Sequence, residues 1–216
     1  MSIGTREDNI RRIVLMEERI CNCDRCPSLI KCIRKPSLGK GELEPEMVFV
    51  FESGSTFTNS IDNIIELRNL FKSEFNIAKI YHTYMVRCQP KACTVRYGVS
   101  CYTNSRLLDK GNRCILSGKL CEGIPIKPST EEIFACLPFL LEEIEILSPN
   151  YLILFGARVS EFVLRSFGIF SDIELGKRYE FNKKVILTTV YEQDFGIEEC
   201  KQVQELMSKP LEASEL

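Results

Sequence analysis

Histidine is nearly missing from this 216-residue chain, which holds His82 and no other. A zinc site with mixed cysteine and histidine ligands is thereby nearly excluded. Excess positive charge is missing too. Lys and Arg number 28 against 30 Asp and Glu, a net charge of −2. Nothing global announces a nucleic-acid partner, and any basic surface must be local. No apolar run approaches the length that spans a bilayer, and the polar start Met1–Asn9 has no secretory character. A soluble, cytoplasmic protein without a membrane partner is expected. Repeats and low-complexity segments are also lacking, in an ordinary globular composition of 44% hydrophobic and 27% charged residues.

Cysteine is what the chain has in quantity. Eleven in a chain neither small nor marked for secretion argue for metal binding over a disulfide framework. Four dominate: Cys23 and Cys26 in C-x-x-C-P, Cys88 in R-C-Q-P and Cys136 in E-E-I-F-A-C. Each is expected where the chain enters or leaves a regular element, which would let the fold bring distant thiolates to one point. Four sulfurs suit zinc or an iron–sulfur cluster and few other ions. Cys93, Cys101, Cys114 and Cys121 follow C-x7-C-x12-C-x6-C, without the tight knuckle of standard zinc motifs. They are secondary candidates, for a second metal (zinc) or as plain surface thiols.

Helical periodicity predicts helices over Arg6–Ile20, Ser60–Phe75, Thr130–Leu147, Ala157–Phe167 and Gly196–Met207. In the first, Ile10, Ile13, Met16 and Ile20 would face inward. Ser129 or Thr130 can cap the third, with Glu131 and Glu132 in its first turn. Short apolar runs predict strands at Met47–Phe51, Ile80–Val86, Tyr151–Phe155 and Lys184–Thr189. Strands alternating with helices imply a three-layer α/β/α sandwich on a four-stranded, mostly parallel sheet. One domain over residues 1–207 is expected, with a cysteine-rich insertion at 91–129 and a loose tail from 208 to 216. Ligands of such sheets sit beyond the strands' carboxyl ends: Phe51–Thr56, Cys88–Pro90, Phe155–Arg158 and Thr189–Gln193.

These pieces, in this order, resemble the iron–sulfur (family 4) uracil-DNA glycosylases. The matching segments are C-D-R-C-P at Cys23–Pro27, G-K-G at Gly39–Gly41 leading into M-V-F-V at Met47–Val50, and Y-H-T-Y-M-V-R-C-Q-P at Tyr81–Pro90. E-E-I-F-A-C at Glu131–Cys136, S-P-N-Y-L-I-L-F-G-A at Ser148–Ala157 and K-K-V-I-L-T at Lys183–Thr188 complete them. The resemblance implies that Cys23, Cys26, Cys88 and Cys136 hold a structural [4Fe–4S] cluster near a DNA-binding face.

The chain departs from that family where chemistry is done. The family's G-E-G/A-P-G motif, which positions the hydrolytic water and the uracil, aligns with Phe51-Glu52-Ser53-Gly54-Ser55. Glu52 alone is retained, as a catalytic relic or simply the partner of a nearby Lys or Arg. Phe51 should obstruct the close approach that a glycine permits there. Tyr84 replaces the asparagine that reads the uracil edge, and a phenol cannot offer a paired donor and acceptor. Val190-Tyr191 replaces the histidine–proline that stabilises developing charge, and His82 precedes the strand end. Losing one such electrophilic donor costs on the order of a hundredfold in rate. Uracil excision is therefore expected to be absent or very weak, with Ser53, Tyr84 and Tyr191 left where the family binds its base. Asp172, Glu174 and Asp194 read as surface charges.

The insertion carries Lys91, Arg96, Arg106, Lys110, Arg113, Lys119 and Lys127, with Tyr97 and Tyr102 interleaved. Arg96, Arg106 and Arg113 are candidates for tracking a phosphate backbone, against the plainer reading of a solvated loop. The expected function is a DNA-binding, repair-related relative of glycosylases whose uracil excision is lost or altered. A base-excision enzyme with a rebuilt catalytic set, and a non-catalytic interaction or redox module retaining the cluster, are the alternatives.

Overall fold

A computed structural model describes residues 6–26, 36–92, 109, 113–120 and 124–208. Within them the chain runs α1 (Arg6–Cys21), β1 (Lys40–Gly41), β2 (Met47–Phe51), α2 (Ile61–Phe75), β3 (Ile80–Tyr84), β4 (Lys91–Ala92) and β5 (Ile124–Pro125). Then come α3 (Thr130–Leu147), β6 (Tyr151–Phe155), α4 (Ala157–Ser166), β7 (Arg178–Phe181), β8 (Lys184–Thr189), a 3-10 turn at Glu192–Asp194 and α5 (Ile197–Ser208).

The sheet has six strands in the order β1-β3-β2-β6-β8-β7, which corrects the expected four. The four expected strands are its parallel centre, since β3, β2, β6 and β8 pair parallel in sequence. Antiparallel β1 and β7 close the two edges, so the sheet is mixed. The turn from β7 to β8 is built on Asn182 and Lys183, both at positive φ (48° and 65°). That backbone matches the twist of a tight hairpin. A separate two-stranded ladder joins β4 to β5 across the ends of the insertion.

Helices cover both faces. Alternate residues of the strands supply each side, as the pleat requires. Val48, Val50, Leu152, Leu154 and Ile186 pack with α1, α3 and α4. Met47, Phe49, Phe51, Ile153, Phe155 and Leu187 pack with α2 and α5. Ser60 caps α2, accepting a hydrogen bond from the Asn63 N–H. Ser129 and Glu132 form a complete capping box on α3. In α1, Ile10 is exposed and Asn9 is buried in its place. The Asn9 amide donates to the Leu43 carbonyl at 2.9 Å, tying the helix to the segment before β2. No helix among the described residues is long and apolar enough to cross a membrane.

Candidate functional site

The four leading cysteines come from three elements and meet at one cavity. Cys23 and Cys26 lie just past the end of α1, Cys88 lies beyond β3, and Cys136 lies in the second turn of α3. Cys136 is thus inside a helix rather than at an element's edge, as the sequence pattern suggested. Together the four line one cavity with Ile20, Val86, Arg87, Ala135 and Phe139. Two contacts set this arrangement. The Arg25 guanidinium stacks over the Phe139 ring at 4.6 Å and donates to the Ala135 carbonyl, clamping the C-D-R-C loop onto α3. The Arg87 N–H donates to the Cys136 sulfur at 3.2 Å, bringing the chain after β3 to the same helix.

Burial, with repulsion from Cys136 and Cys23, pushes the Cys26 thiol up to about 11. Burial raises the Cys136 thiol as well, against the pull of the Arg87 N–H and guanidinium. Thiols that oppose one another's ionisation in this way become a ligand set only around a cation. Among the described residues, no group of three or more His, Cys, Asp or Glu side chains is gathered as a site for one metal ion. The donor set itself is all sulfur, soft, and walled by apolar side chains. Arg87 lines the cavity, and its Nε and Nη1 are buried without a hydrogen-bond partner in the structure. Those features fit an anionic, sulfur-ligated group.

Arg87 is also the centre of a buried polar network that the sequence did not announce. Its guanidinium and Glu143 are each 1% exposed and form an ion pair. Glu143 accepts further hydrogen bonds from Tyr81 Oη (2.8 Å) and from Thr83 Oγ1. Gly39 passes directly over the Tyr81–Glu143 hydrogen bond, where a Cβ would collide with Tyr81 Oη and lie 2.6 Å from Glu143 Oε1. The signal that could have found this network is Glu143 itself, an acid on the apolar face of a helix.

The carboxyl ends of the parallel strands bring a second group together. Glu52 follows β2 and pairs with Arg158 in the first turn of α4. Arg158 also donates to the Pro128 carbonyl at 2.9 Å, so it bridges the insertion's end to the sheet. Burial raises the Glu52 carboxyl above the usual glutamate range, with Glu192 adding to the rise and Arg158 and Lys127 opposing it. Glu192 is buried after β8 and accepts from Ser55 Oγ at 2.8 Å. Sequence reasoning missed both Arg158 and Glu192, which have meaning only once the strand ends are adjacent.

Tyr191 lies against Gly156, where φ is +91° and a Cβ would be 2.5 Å from the ring. Lys127 Nζ lies over the same ring, 5.3 Å from its centre. Ser53 is half-buried beside Glu52. Tyr84 is 5% exposed and belongs to the core with Phe51, their ring centres 6.0 Å apart. Phe51 itself is turned down onto Phe155, at 4.9 Å, and does not stand over the strand ends as anticipated. The two centres are joined by backbone, because the Val86 N–H donates to the Glu52 carbonyl at 2.8 Å.

Among the insertion's candidates, Arg113 is exposed, and its N–H bonds to the Asp109 carboxylate at 2.8 Å. Cys114 is buried. Arg96, Arg106, Cys93, Cys101 and Cys121 lie outside the described residues. Asp172, Glu174 and Asp194 are exposed.

A search of the curated proteins finds no match. The family model described as the uracil DNA glycosylase superfamily matches residues 39–197, from the glycine over Glu143 to the start of α5. That span holds all six strands of the sheet, the Glu52 centre, Cys88 and Cys136, and it makes the chain a member of the uracil-DNA glycosylase superfamily.

Proposed function

We propose that this member binds nucleic acid in a repair-related role, carries a [4Fe–4S] cluster on Cys23, Cys26, Cys88 and Cys136, and has lost or altered uracil excision. The observation that carries the reading is the Glu52–Arg158 pair. The acid that would position water is engaged by a guanidinium instead. Around it, Tyr84 is packed into the core and Tyr191 lies against Gly156, with Lys127 over its ring. None of these side chains supplies the carboxamide and imidazole that the family mechanism uses. The cluster would contribute structure, fixing the α1 end, the chain after β3 and α3 to one another. The second, zinc site on Cys93, Cys101, Cys114 and Cys121 stays a lesser proposal, tested by counting zinc.

One observation favours the alternative of a rebuilt excision enzyme. Glu52, Glu192, Ser55 and Lys127 converge at the strand ends, with the Glu52 carboxyl raised toward the range useful for proton transfer. Incubation with a single-stranded oligonucleotide holding one uracil decides between them. The proposal expects no abasic product above background. Robust turnover that Glu52→Gln abolishes would establish the alternative. Binding of the same oligonucleotide should weaken steeply with salt and be lost on charge reversal at Arg106 and Arg113.

A further inference from the structure

Arg87 belongs to two arrangements at once. It lines the sulfur cavity, and its guanidinium forms the buried ion pair with Glu143. Glu143 is not among the residues lining that cavity. It turns instead to Tyr81 and Thr83 on β3, and about two turns of α3 separate it from Cys136. The pair is therefore a fixed dipole with its positive end beside the sulfurs.

The two charges are unequally answered. Glu143 accepts from Tyr81 Oη, Thr83 Oγ1 and Arg87 Nη2. Arg87 Nε and Nη1 have no partner in the structure. On the cavity side its neighbours are sulfur. Arg87 precedes Cys88 in the chain, its backbone N–H donates to Cys136 Sγ at 3.2 Å, and its guanidinium favours the Cys136 thiolate. Other charges nearby are better solvated, since Arg25 is exposed and Glu17 and Glu132 are half-buried. Arg87 is 1% exposed, so its field is the least screened.

We propose that Arg87 is a positioning residue for charge, whose buried guanidinium offsets the negative charge of the sulfur-ligated group and so sets how readily that group takes up an electron. Thiolates around an iron–sulfur core leave it net negative, and an added electron makes it more so. A fixed cation beside the ligands favours the reduced form, and a fixed anion opposes it. The electron comes from a one-electron donor and lodges on iron, with no bond made or broken. The inference rests on the cluster reading above.

Anaerobic reduction of the full chain by photoreduced deazaflavin, followed by its absorbance and electron paramagnetic resonance against redox mediators, tests this. Arg87→Met/Glu143→Leu leaves no buried charge to unfold the chain. It should lower the midpoint by about 59 mV, a tenfold shift of a one-electron equilibrium. Glu143→Gln, which leaves Arg87 unopposed, should raise it. Arg87→Lys, still charged, should lie closer to the wild type than to the neutral pair. Shifts of opposite sign are not what a merely structural role would give. If Glu143→Gln does not fold, the neutral pair decides alone. A neutral pair that keeps its iron and sulfide with a midpoint at or above the wild type overturns the role of Arg87 and leaves the cluster standing. A wild-type group that photoreduced deazaflavin leaves oxidised overturns that role as well. A folded wild type without iron and sulfide overturns both.

Discussion

At the scale of single residues, two acids determine how the strand ends and the cysteine cavity behave. Glu52 has a raised carboxyl pKa, caused first by burial. An acid raised in the folded state favours folding while protonated, and that contribution fades as pH rises through its folded pKa. Relative to Glu52→Gln, the wild type should therefore be most stable below about pH 4.5, the ordinary glutamate value, and lose ground as pH climbs above it. Melting temperatures of the two proteins across that range give the result; a constant difference would refute it. Glu143 behaves differently, because its partner is fully buried. Glu143→Ala leaves the Arg87 charge uncompensated, at a cost of about 3–5 kcal/mol. Replacing both partners by apolar residues should cost less than removing Glu143 alone, as urea unfolding would read.

At the scale of elements, α3 is where fold and site depend on each other. It carries Cys136 and Glu143, and its start is fixed by the Ser129–Glu132 capping box. Ser129→Ala should cost about 1 kcal/mol and loosen the turn that presents Cys136. Thermal unfolding measures the first effect, and a lower iron content than the wild type, if the proposed cluster is held there, measures the second. This helix was legible in the sequence because its apolar period, its cap and its acidic first turn agree over Thr130–Leu147. The buried strands were legible for a similar reason, each a short apolar run with β-branched or aromatic residues. Lys40–Gly41 was not, since two residues carry no period and pair only because β3 offers an edge. Arg178–Phe181 was missed although the Asn182-Lys183 turn before an apolar strand was a usable signal. Asn9 rather than Ile10 lies on the inner face of α1 because positions 9, 13, 16 and 20 share one helical stripe, and the Asn9 amide N–H meets the Leu43 carbonyl there.

At the scale of the whole molecule, the parallel centre of the sheet places two centres at one end, linked by the backbone from Glu52 to Val86. The cysteine quartet could be singled out in the sequence because each cysteine sits in a short local motif, C-x-x-C-P, R-C-Q-P or E-E-I-F-A-C. The strand-end centre could be read only in part. Glu52 was found by position, but Arg158, Lys127 and Glu192 come from other elements and meet it only in three dimensions. Of all these features, the sulfur-lined cavity beside Arg87 makes the sharpest demand on the protein's composition. Iron and acid-labile sulfide should be counted in anaerobically purified wild type and in Cys136→Ser. The wild type should hold equal amounts of both, one cluster per chain, and the variant should lose them. A wild type that is fully folded yet free of iron would contradict the account.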